Sequence, residues 1–597
     1  MGRDVASEGG APAREPAGDA KSEAKRGARL TRRELLATAA VVSAAGVVAC
    51  APFPSTDTKP TPVPFSLNRP VRVAADTTVP AALTQAAIQR LSGVAGIPSA
   101  ELATQTPDLL LTFGAAPQGY TTVDLGASPL ALYTHLRVPV DSVTADQARK
   151  LLAGRVSDWS QVGAPYSLPV VLHAVQGLAA PSGVSLAGSA KAVSNVDELI
   201  KTVRGKPGAL AFAPTEAADW RVRNLGVDAV FPAQGKGDLA KAALPALTLR
   251  LAVSQELVSK GLDTRAVATA LKSLLAAGAT AVDVVAAGDI MLGRGVNNKM
   301  VGYGDYSYPY RGIHDELQSA DYRVANLECT VTDVTPVPSD PHTFYFVSAA
   351  KAITGLTYAG FQTLTVANNH SNGPGGHPAF SDMLKNLRAN NISVMGGGDT
   401  LAEARTPSIQ TIKGVKFALF GYHDFAVVPA QGPAATDTSW GLAPAKLATL
   451  PDDITAARAK ADIVIPYFHW GIEYTKVPTK AQQTLARAAI DAGADMVLGN
   501  HPHWTQGVEE YKGKLIIYSM GNFVFDQDWS RPTMEGMLIH FYWRDRTLVG
   551  VRFVPTLDRD RCQPRIMTQA EGVGVFQRMW SGTDILASGV YGPEYEP

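Results

Sequence analysis

The stretch of sequence that decides the fold is Gly499-Asn500-His501-Pro502-His503, which directly follows the strand-like run 494–498. A β-rich run that ends in Gly-Asn and two histidines one residue apart presents two imidazoles at the end of a strand. Open α/β sheets place their chemistry at the carboxyl ends of their strands. Of the 11 histidines in the chain, only His135 and His173 precede residue 300. The sequence therefore predicts that the chemistry lies in the C-terminal half.

Length and charge restrict the classes of protein to which the chain can belong. With 597 residues it is long enough for more than one domain with a sizeable core. Lys plus Arg and Asp plus Glu number 54 each, and no long basic block follows residue 35, which argues against a nucleic acid as partner. The content of 46% hydrophobic residues is typical of a globular α/β protein rather than a fibre or a disordered chain.

The N-terminal segment 1–50 reads as an export signal. Arg32-Arg33 precedes an apolar run at 37–49, and a twin arginine before a short apolar segment predicts a Tat-type signal. The run is too short for a comfortable transmembrane span. It ends at Cys50 in a setting similar to the bacterial lipobox, which predicts lipidation of Cys50 and an extracytoplasmic protein anchored to the cell membrane by lipid. A signal-anchor helix with an incidental cysteine is the alternative.

Composition divides the remainder of the chain into four segments. They are a Pro-rich linker at 51–69, a first α/β region at 70–279, a second α/β region at 280–558 and a C-terminal tail at 559–597. In the first region, short apolar runs alternate with helix-like stretches, which favours a mainly parallel sheet.

The two cysteines after Cys50, Cys329 and Cys562, are too few for a disulfide framework, and we expect two separate core residues.

Two segments of the first region, 142–163 and 208–212, resemble phosphate-type periplasmic solute-binding proteins. The first contains Leu-Leu-Ala-Gly-Arg-Val and then Asp-Trp-Ser-Gln-Val-Gly, and the second is Gly-Ala-Leu-Ala-Phe. The resemblance implies a smaller α/β domain that binds a small anion or another ligand. The Ser-Gly-Thr anion loop of that family is not obvious, since its nearest match, Pro181-Ser182-Gly183-Val184, has valine in the threonine position. A structural or partner-docking domain is an equal alternative.

Five motifs in the second region share one arrangement, an apolar strand-like run followed by Asp, Glu, Asn or His. They are 284–291 with Asp289, 323–330 with Glu328, 363–370 with Asn369 and His370, 463–471 with His469, and 496–503 with His501 and His503. One such motif alone is usually a turn, a loop cap or a packed pair, but five in order at strand ends indicate one shared site. A mixed set of carboxylate, amide and imidazole groups suits Mn, Fe or Zn, and a carboxylate can bridge two ions. We therefore predict a divalent, binuclear metal centre.

The order of these motifs resembles the calcineurin-like metallophosphoesterase pattern and, more closely, the CapA family of capsule and poly-γ-glutamate biosynthesis proteins. The resemblance covers about 283 to 540, and its matching segments are 288–294, 326–328, 367–372, 468–474, 491–507 and 518–526. It implies a C-terminal α/β sandwich of the calcineurin-like metallophosphoesterase type.

The resemblance also implies a role for each matching residue. Asp289 and His503 would hold one metal and Glu328 would bridge, whereas Asn369, His469 and His501 would hold the second metal. His370 would act beside them as the acid or as a donor to the transition state. Arg294, Trp470 and Asn522 are candidate substrate contacts, with a solvated arginine, a core tryptophan and a structural hydrogen-bonding residue as the respective alternatives.

Three positions depart from the pattern of these families. The Asp-x-His of the phosphoesterases is Asp289-x-Met291 here, so the first metal loses an imidazole. The bridging acid is Glu328 rather than an aspartate. Gly373-Pro374-Gly375-Gly376-His377 replaces the Asp-x-Gly that often follows Asn-His in CapA proteins, and we expect His377 in a surface loop.

Two hypotheses for the function follow. In the first, an exported lipoprotein acts in the synthesis of a capsule or a poly-γ-glutamate-like envelope polymer as a metal-dependent hydrolase of a phosphoester or γ-glutamyl bond. In the second, the protein is a non-catalytic factor that binds or assembles an anionic polymer. The methionine at position 291 and the solute-binding-like first region motivate the second hypothesis.

Overall fold

The computed structural model describes residues 65–181, 184–275, 281–340 and 342–590. The predicted signal, Cys50 and most of the Pro-rich linker lie outside these residues, as do Ser182 and Gly183 of the candidate anion loop. Residues 64–597 group into one compact unit. Within the described part of the chain, no helix has both the length and the apolar character that crossing a bilayer requires.

The first region contains one mixed sheet with helices on its flanks. Its strands are β1 Val71–Ala75, β2 Ala100–Leu102, β3 Leu109–Thr112, β4 Tyr120–His135, β5 Ser142–Val143, β6 Val171–Val175, β7 Lys191–Val193, β8 Ala209–Pro214, β9 Val222–Val227 and β10 Ala246–Ser254. Its helices are α1 Ala81–Leu91, α2 Ala145–Leu152, α3 Val196–Gly205, α4 Gln255–Ser259 and α5 Thr264–Leu271. The start of α2 is set by a capping box, in which Thr144 and Gln147 exchange side-chain-to-backbone hydrogen bonds.

The strand order in this sheet is β2-β1-β3-β10-β4-β8-β6-β7, and β9 pairs with β4 and β5. The long strand β4 pairs antiparallel with β10 along its first part and with β8 and β9 along its second. The expectation of a mainly parallel sheet is therefore wrong at the centre, where β4 and β10 run against their neighbours. Because β4 leaves one apolar core near Leu125 and enters another at Leu130, the region forms two lobes joined by this strand.

The second region contains two larger sheets and their covering helices. Its strands are β11 Val282–Ile290, β12 Tyr322–Leu327, β13 Thr330–Val331, β14 Val347–Ser348, β15 Thr363–Thr365, β16 Ser393–Met395, β17 Gly397–Gly398, β18 Ser408–Ile412, β19 Val415–His423, β20 Gly441–Leu442, β21 Ile463–His469, β22 Met496–Asn500, β23 Val508–Tyr511, β24 Lys514–Ile517, β25 Asn522–Val524, β26 Glu535–Arg544, β27 Thr547–Arg559 and β28 Gln563–Ile566. Its helices are α6 Arg294–Tyr303, α7 His314–Gln318, α8 Ile353–Ala359, α9 Gly376–Ala389, α10 Leu401–Ala404, α11 Leu450–Arg458, α12 Lys480–Asp491 and α13 Val573–Ser588.

The two sheets of the second region pack face to face. One has the order β16-β15-β12-β11-β26-β27-β28 with β25 beside β11, and the other has the order β18-β19-β21-β22-β24-β23. Side chains from both sheets share one apolar core, as Val284 and Phe541 of the first sheet and Phe417 and Leu498 of the second show. Helices cover the outer faces through two further cores. The predicted α/β sandwich is confirmed.

The segment from 559 onward, predicted as a tail, takes part in this sandwich. β28 extends the first sheet by pairing with β27, and α13 buries Val575 and Met579 in the core between the sheets. Cys562 follows the last residue of β27 closely and, like Cys329, is a buried free thiol. This state of the two cysteines confirms the expectation of two separate core residues.

Candidate metal centre

The strand-end motifs converge at the carboxyl ends of the two sheets. Asp289 is the penultimate residue of β11, and Glu328 directly follows β12. His469 is the last residue of β21 in the opposite sheet, and His501 directly follows β22. All four side chains are buried. Rigid buried strands thus carry the polar groups to one place.

Two groups of ligand atoms share one carboxylate. Asp289, Glu328 and His503 each offer an atom within 4.8 Å of the others, and so do Glu328, His469 and His501. His503 Nδ1 lies 3.7 Å from Asp289 Oδ2, and His469 Nε2 lies 3.7 Å from Glu328 Oε1. The structure therefore brings together the predicted ligands in two sets with Glu328 common to both.

The remaining predicted ligand, Asn369, joins the second set. Its Oδ1 lies 2.7 Å from His469 Nε2, and His501 Nδ1 lies 3.1 Å from the same nitrogen. Three potential donors to one cation thus surround a single point beside Glu328. Oxygen and imidazole nitrogen together suit Mn, Fe or Zn.

The carboxylate of Glu328 provides a test of whether a cation fits. Both of its oxygens are buried and have no hydrogen-bond partner among the described residues. A buried carboxylate without a partner is costly, and such groups are normally paired or coordinate a metal. The donor set on either side of Glu328 fits two divalent cations, with Asp289 and His503 on one side and Asn369, His469 and His501 on the other.

Burial displaces the pKa values of acids and histidines in opposite directions. It raises the pKa of Asp289 to about 6 and that of Glu328 well above its usual value, to which the neighbouring Asp289 contributes. It lowers the pKa of His503 to about 4 and those of His469 and His501 well below the usual value. The imidazoles are therefore neutral at pH 7, which is the form that binds metals, and the carboxylates lack the positive charge that would keep them ionised.

The turn at 501–503 explains how two histidines one residue apart face the same site. The strand ends at Asn500, so the regular alternation of strand side chains does not set the directions of the two imidazoles. His501 has a φ of 100° and His503 a φ of 57°, both in the left-handed region that glycine favours. Backbone strain of this kind is typical of functional sites. The turn around Pro502 brings the two imidazole centroids to 5.9 Å.

Asparagine side chains that the sequence analysis did not select hold the ligands in place. Asn326 and Asn500 each donate through Nδ2 to Asp289 Oδ1, at 2.7 and 2.6 Å. Asn368 donates to Asn326 Oδ1 at 3.0 Å. Asn368 and Asn500 directly precede predicted ligands, and Asn326 lies two residues before Glu328. This closeness to predicted ligands along the chain was the available signal.

A sixth strand-end motif, which ends in a histidine, was also missed. His423 ends β19, pairs in register with His469 on β21, and has its ring centroid 5.7 Å from that of His469. Its Nε2 lies 3.0 Å from Val428 O, whereas its Nδ1 is buried with no hydrogen-bond partner among the described residues. Burial lowers the pKa of His423 to about 4. The run that ends in Tyr422-His423-Asp424 follows the same pattern as the five selected motifs.

His370 lies beside the ligands and is fixed by one of its nitrogens. Its Nδ1 lies 3.0 Å from Phe344 O and 3.0 Å from Gln431 Nε2. The ring stacks on Phe346 with centroids 4.0 Å apart. Burial, with a smaller contribution from His503, lowers the pKa of His370 to about 3. The imidazole is therefore neutral at pH 7.

The three candidate substrate contacts differ in their surroundings. Trp470 is fully buried, stacks on Phe468 and donates from Nε1 to Tyr518 O at 2.9 Å, which is the arrangement of a core tryptophan. Asn522 is also buried, and its Oδ1 lies 2.9 Å from His503 Nδ1, so it positions a ligand. Both side chains are buried, and contact of either with a substrate stays a prediction.

Arg294 is buried rather than solvated, so both interpretations of it given above change. Its guanidinium pairs with Asp526 and lies 4.5 Å above the Phe346 ring, on which His370 also stacks.

Met291 is buried in the core beneath the helices, where a metal-binding imidazole is expected in the phosphoesterase pattern. His377 is exposed on α9 and lies 2.9 Å from Asp399, as a surface residue outside the site.

Hydrogen bonds between the chain's own polar groups link the two lobes of the first region. Ala81 N, at the start of α1, donates to Asp197 Oδ2 at 3.0 Å, and Val196 N donates to Thr77 O at 3.1 Å. The half-buried Glu216 accepts a hydrogen bond from Ser128. The anion-loop candidate cannot be placed here, because Ser182 and Gly183 lie outside the described residues.

The sandwich and the two ligand sets define an α/β protein with a buried candidate binuclear centre at the carboxyl ends of its strands. Residues 283–527 match the model of the family described as "Bacterial capsule synthesis protein PGA_cap". The chain belongs to the CapA family of capsule and poly-γ-glutamate biosynthesis proteins.

Similar curated proteins share the second region. The chain is 32% identical to "Capsule biosynthesis protein CapA" of Bacillus anthracis over 47% of this chain and 69% of that protein. It is 34% identical to "PGA biosynthesis protein CapA" of Bacillus subtilis over 43% of this chain and 66% of that protein.

Solved structures resemble each region only at low scores. An ABC-type phosphate transport receptor from Vibrio cholerae has a TM-score of 0.25 and 16% identity, over 34% of this chain and 93% of its own. A hypothetical protein from Thermus thermophilus has a TM-score of 0.29 and 14% identity, over 46% of this chain and 100% of its own. Scores this low do not establish a common fold.

Proposed function

We propose that this protein is an exported, metal-dependent hydrolase that cleaves a phosphoester or γ-glutamyl bond of an envelope polymer during capsule or poly-γ-glutamate synthesis. The observation that carries the proposal is the carboxylate of Glu328. It is shared by two ligand sets, it is buried, and neither oxygen has a partner among the described residues. Buried ionisable groups with displaced pKa values cluster at functional sites, which supports a catalytic role.

The protein's own residues would orient the centre and exclude water from it. Asn326 and Asn500 fix Asp289, and Asn522 fixes His503. Divalent cations held by these ligands would lower the pKa of a water and neutralise charge on a phosphoryl group or a carbonyl in the transition state. The strand ends that carry the ligands are rigid, which suits a site that must hold its geometry during a reaction.

His370 lies beside the ligand sets, where one of its two tautomers would be a proton donor. Its Nδ1 lies 3.0 Å from Phe344 O, which can only accept, and 3.0 Å from Gln431 Nε2, which can only donate, so either tautomer of the neutral ring has a partner at Nδ1. A neutral imidazole with its proton on Nε2 can donate a hydrogen bond to developing charge or protonate a leaving group. This is the role that the family resemblance assigns to His370.

The direct test compares activity and metal content in the full chain carrying Cys50→Ser, which keeps the protein out of the membrane. Phosphodiester and γ-glutamyl substrates should be hydrolysed, and His370→Ala should lower the rate about 100-fold or more while the bound metal stays unchanged. His377→Ala is the matched control, because that histidine is exposed and paired with Asp399, and its activity should equal that of the parent. A folded parent that binds no metal and hydrolyses neither substrate would reject the proposal.

A second candidate function is that of a non-catalytic binding or assembly factor for an anionic polymer. It is favoured by Met291, which puts an apolar core side chain at the place of an expected ligand. If Met291→His raises the metal content and creates an activity that the parent lacks, the natural protein is a binding factor. Turnover by the parent would reject this candidate.

The location at the membrane is also part of the proposal. Arg32-Arg33 and Cys50 support Tat export and lipid anchoring, although both lie outside the described residues. Cys50→Ser should then release the protein into the soluble envelope or medium fraction. Unchanged attachment to the membrane would reject the lipid anchor.

A further inference from the structure

Four exposed aromatic side chains border the metal centre. Phe344 is 71% exposed, Tyr345 58%, Trp529 60% and Tyr474 36%. We call these four residues the aromatic rim. Large aromatic side chains are normally buried, and a cluster of exposed ones near a polar site commonly marks a binding surface.

Short contacts tie the rim to both parts of the centre. The carbonyl oxygen of Phe344 lies 3.0 Å from His370 Nδ1. The Tyr474 ring lies 6.0 Å from the His503 ring, and the Trp529 ring lies 6.3 Å from that of Tyr474. Rim residues thus lie next to both His370 and the ligand His503.

The loops that carry the rim and the ligands offer few cations. Residues 292–295, 342–346, 470–476, 501–506 and 525–533 contain three, Arg294, Lys476 and Arg531. Arg294 is buried against Asp526, and Arg531 pairs with Glu535 at 2.6 Å. Lys476 is half-buried and donates to Ser581 Oγ at 3.2 Å. None of the three is both exposed and free to meet a substrate.

Beside the rim, the exposed Arg531 and Arg561 are paired with Glu535 and Asp528, whereas one exposed carboxylate has no Lys or Arg partner among the described residues. Glu473 precedes Tyr474, its side chain is 42% exposed, and among the described residues it has no salt bridge to Lys or Arg. Polyanions are bound by arrays of lysine and arginine, so a polyanionic chain would find repulsion rather than counter-charges along this surface. The rim therefore does not suit the flanking units of poly-γ-glutamate.

Sugar rings suit the same surface. A pyranose ring presents a face of C–H groups that packs on an aromatic ring, and its hydroxyls donate hydrogen bonds to carboxylates such as Glu473. We propose that the aromatic rim is a subsite for uncharged sugar residues, so that the polymer acted on is a glycan whose units next to the reacting bond are neutral. This inference rests on the proposed function for the identity of the reacting bond, but the subsite itself needs no catalysis.

The test is a binding titration in the full chain carrying Cys50→Ser and His469→Ala, in which hydrolysis is absent and the rim is intact. The probes are neutral hexasaccharides of glucose, galactose, mannose and N-acetylglucosamine, and poly-γ-glutamate of similar length. At least one hexasaccharide should bind, and Trp529→Ala or Tyr474→Ala should each weaken it about tenfold. Glu473→Gln should weaken it less than either.

Tyr303→Ala provides the matched control. Tyr303 is also a large exposed aromatic residue, but it ends α6, nine residues and roughly 14 Å along the helix from Arg294. Its replacement should leave sugar binding unchanged. The inference is overturned if no hexasaccharide binds, if rim variants bind sugars as the parent does, or if rim variants lose poly-γ-glutamate instead. Because binding is measured without turnover, failure of the subsite and failure of the hydrolase proposal give separate results.

Discussion

Carboxylates at the junction of the two lobes of the first region and in the candidate metal centre differ in how they are satisfied. At the lobe junction, Asp197 accepts from Ala81 N and Glu216 accepts from Ser128. In the metal centre, both oxygens of Glu328 lack a partner among the described residues. The comparison teaches that carboxylates at the lobe junction receive hydrogen bonds from their own chain, whereas buried carboxylate oxygens without a donor are typical of sites that hold a cation.

The comparison also bears on the anion predicted for the first region. A helix N-terminus favours a negative group, and at α1 that place is taken by the carboxylate of Asp197. The same region is fixed to the sandwich by Arg204 and Arg221, which both pair with Glu510. These contacts favour the alternative of a structural or docking domain.

The largest expected effect is that of Glu328→Gln. A neutral amide cannot bridge two cations, so metal content should fall from about two ions per chain to none or nearly none. Without metal, however, the variant should be more stable than the parent by about 1–3 kcal/mol, because an unpartnered buried carboxylate is removed. Elemental analysis and chemical unfolding in chelator measure the two effects.

Glu216→Gln is the control for that prediction. Its carboxylate lies at the lobe junction and already has a partner, so the replacement should leave metal content unchanged. Equal loss of metal in both variants would remove the distinction between the two places.

The next effect separates the two ligand sets. His469→Ala and His501→Ala should each lose the ion on their side of Glu328 and give the same metal content, whereas His503→Ala should lose the other ion. The fold should persist in all three, since ligands at strand ends contribute little to the apolar core. Different stoichiometries for His469→Ala and His501→Ala would contradict the assignment.

A smaller effect concerns pH and the lobe junction of the first region. Burial raises the pKa of Glu216 above its usual value of 4.5, against the hydrogen bond from Ser128. The folded protein therefore keeps this proton to a higher pH than the unfolded chain, so its contribution to stability is lost as pH rises through the folded pKa. Glu216→Gln should remove this dependence and be more stable near pH 7 by about 1 kcal/mol. Urea unfolding at several pH values measures it, with the exposed Glu198→Gln as control; parallel curves for parent and Glu216→Gln would contradict the prediction.

The smallest effect is expected at Asp197. Asp197→Asn should cost about 0.5–1 kcal/mol, because it weakens a charged contact with the start of α1. Calorimetry with inorganic phosphate should show no binding to the parent. Tight phosphate binding by the parent would mean that the lobe junction is not completed by its own carboxylate.

Strand ends explain why much of the metal centre could be predicted from sequence. An apolar run followed by Asp, Glu or His places that side chain at the edge of a sheet, and parallel strands bring such edges together. The same rule, applied to 415–423, would have found His423. It could not show that Asn326 and Asn500 turn toward Asp289, because that depends on side-chain packing across two strands.

Strand parity explains the position of Trp470. Neighbouring residues of a strand point to opposite faces, so a side chain next to the ligand His469 is directed away from the site. Trp470 accordingly stacks on Phe468, two residues earlier, with ring centroids 4.5 Å apart. The antiparallel pairing of β4 with β10 was equally beyond local patterns, because the partners are more than 100 residues apart along the chain.

The central claim is that Glu328 lies between two cations. Anomalous X-ray scattering from crystals of the full chain carrying Cys50→Ser, prepared with Mn, Fe or Zn and measured at the edge of that metal, tests it most directly. The structure predicts two peaks about 3.5–4 Å apart on opposite sides of the Glu328 carboxylate, one beside Asp289 and His503 and one beside His469 and His501. No peak within ligand distance of Glu328 would contradict the claim.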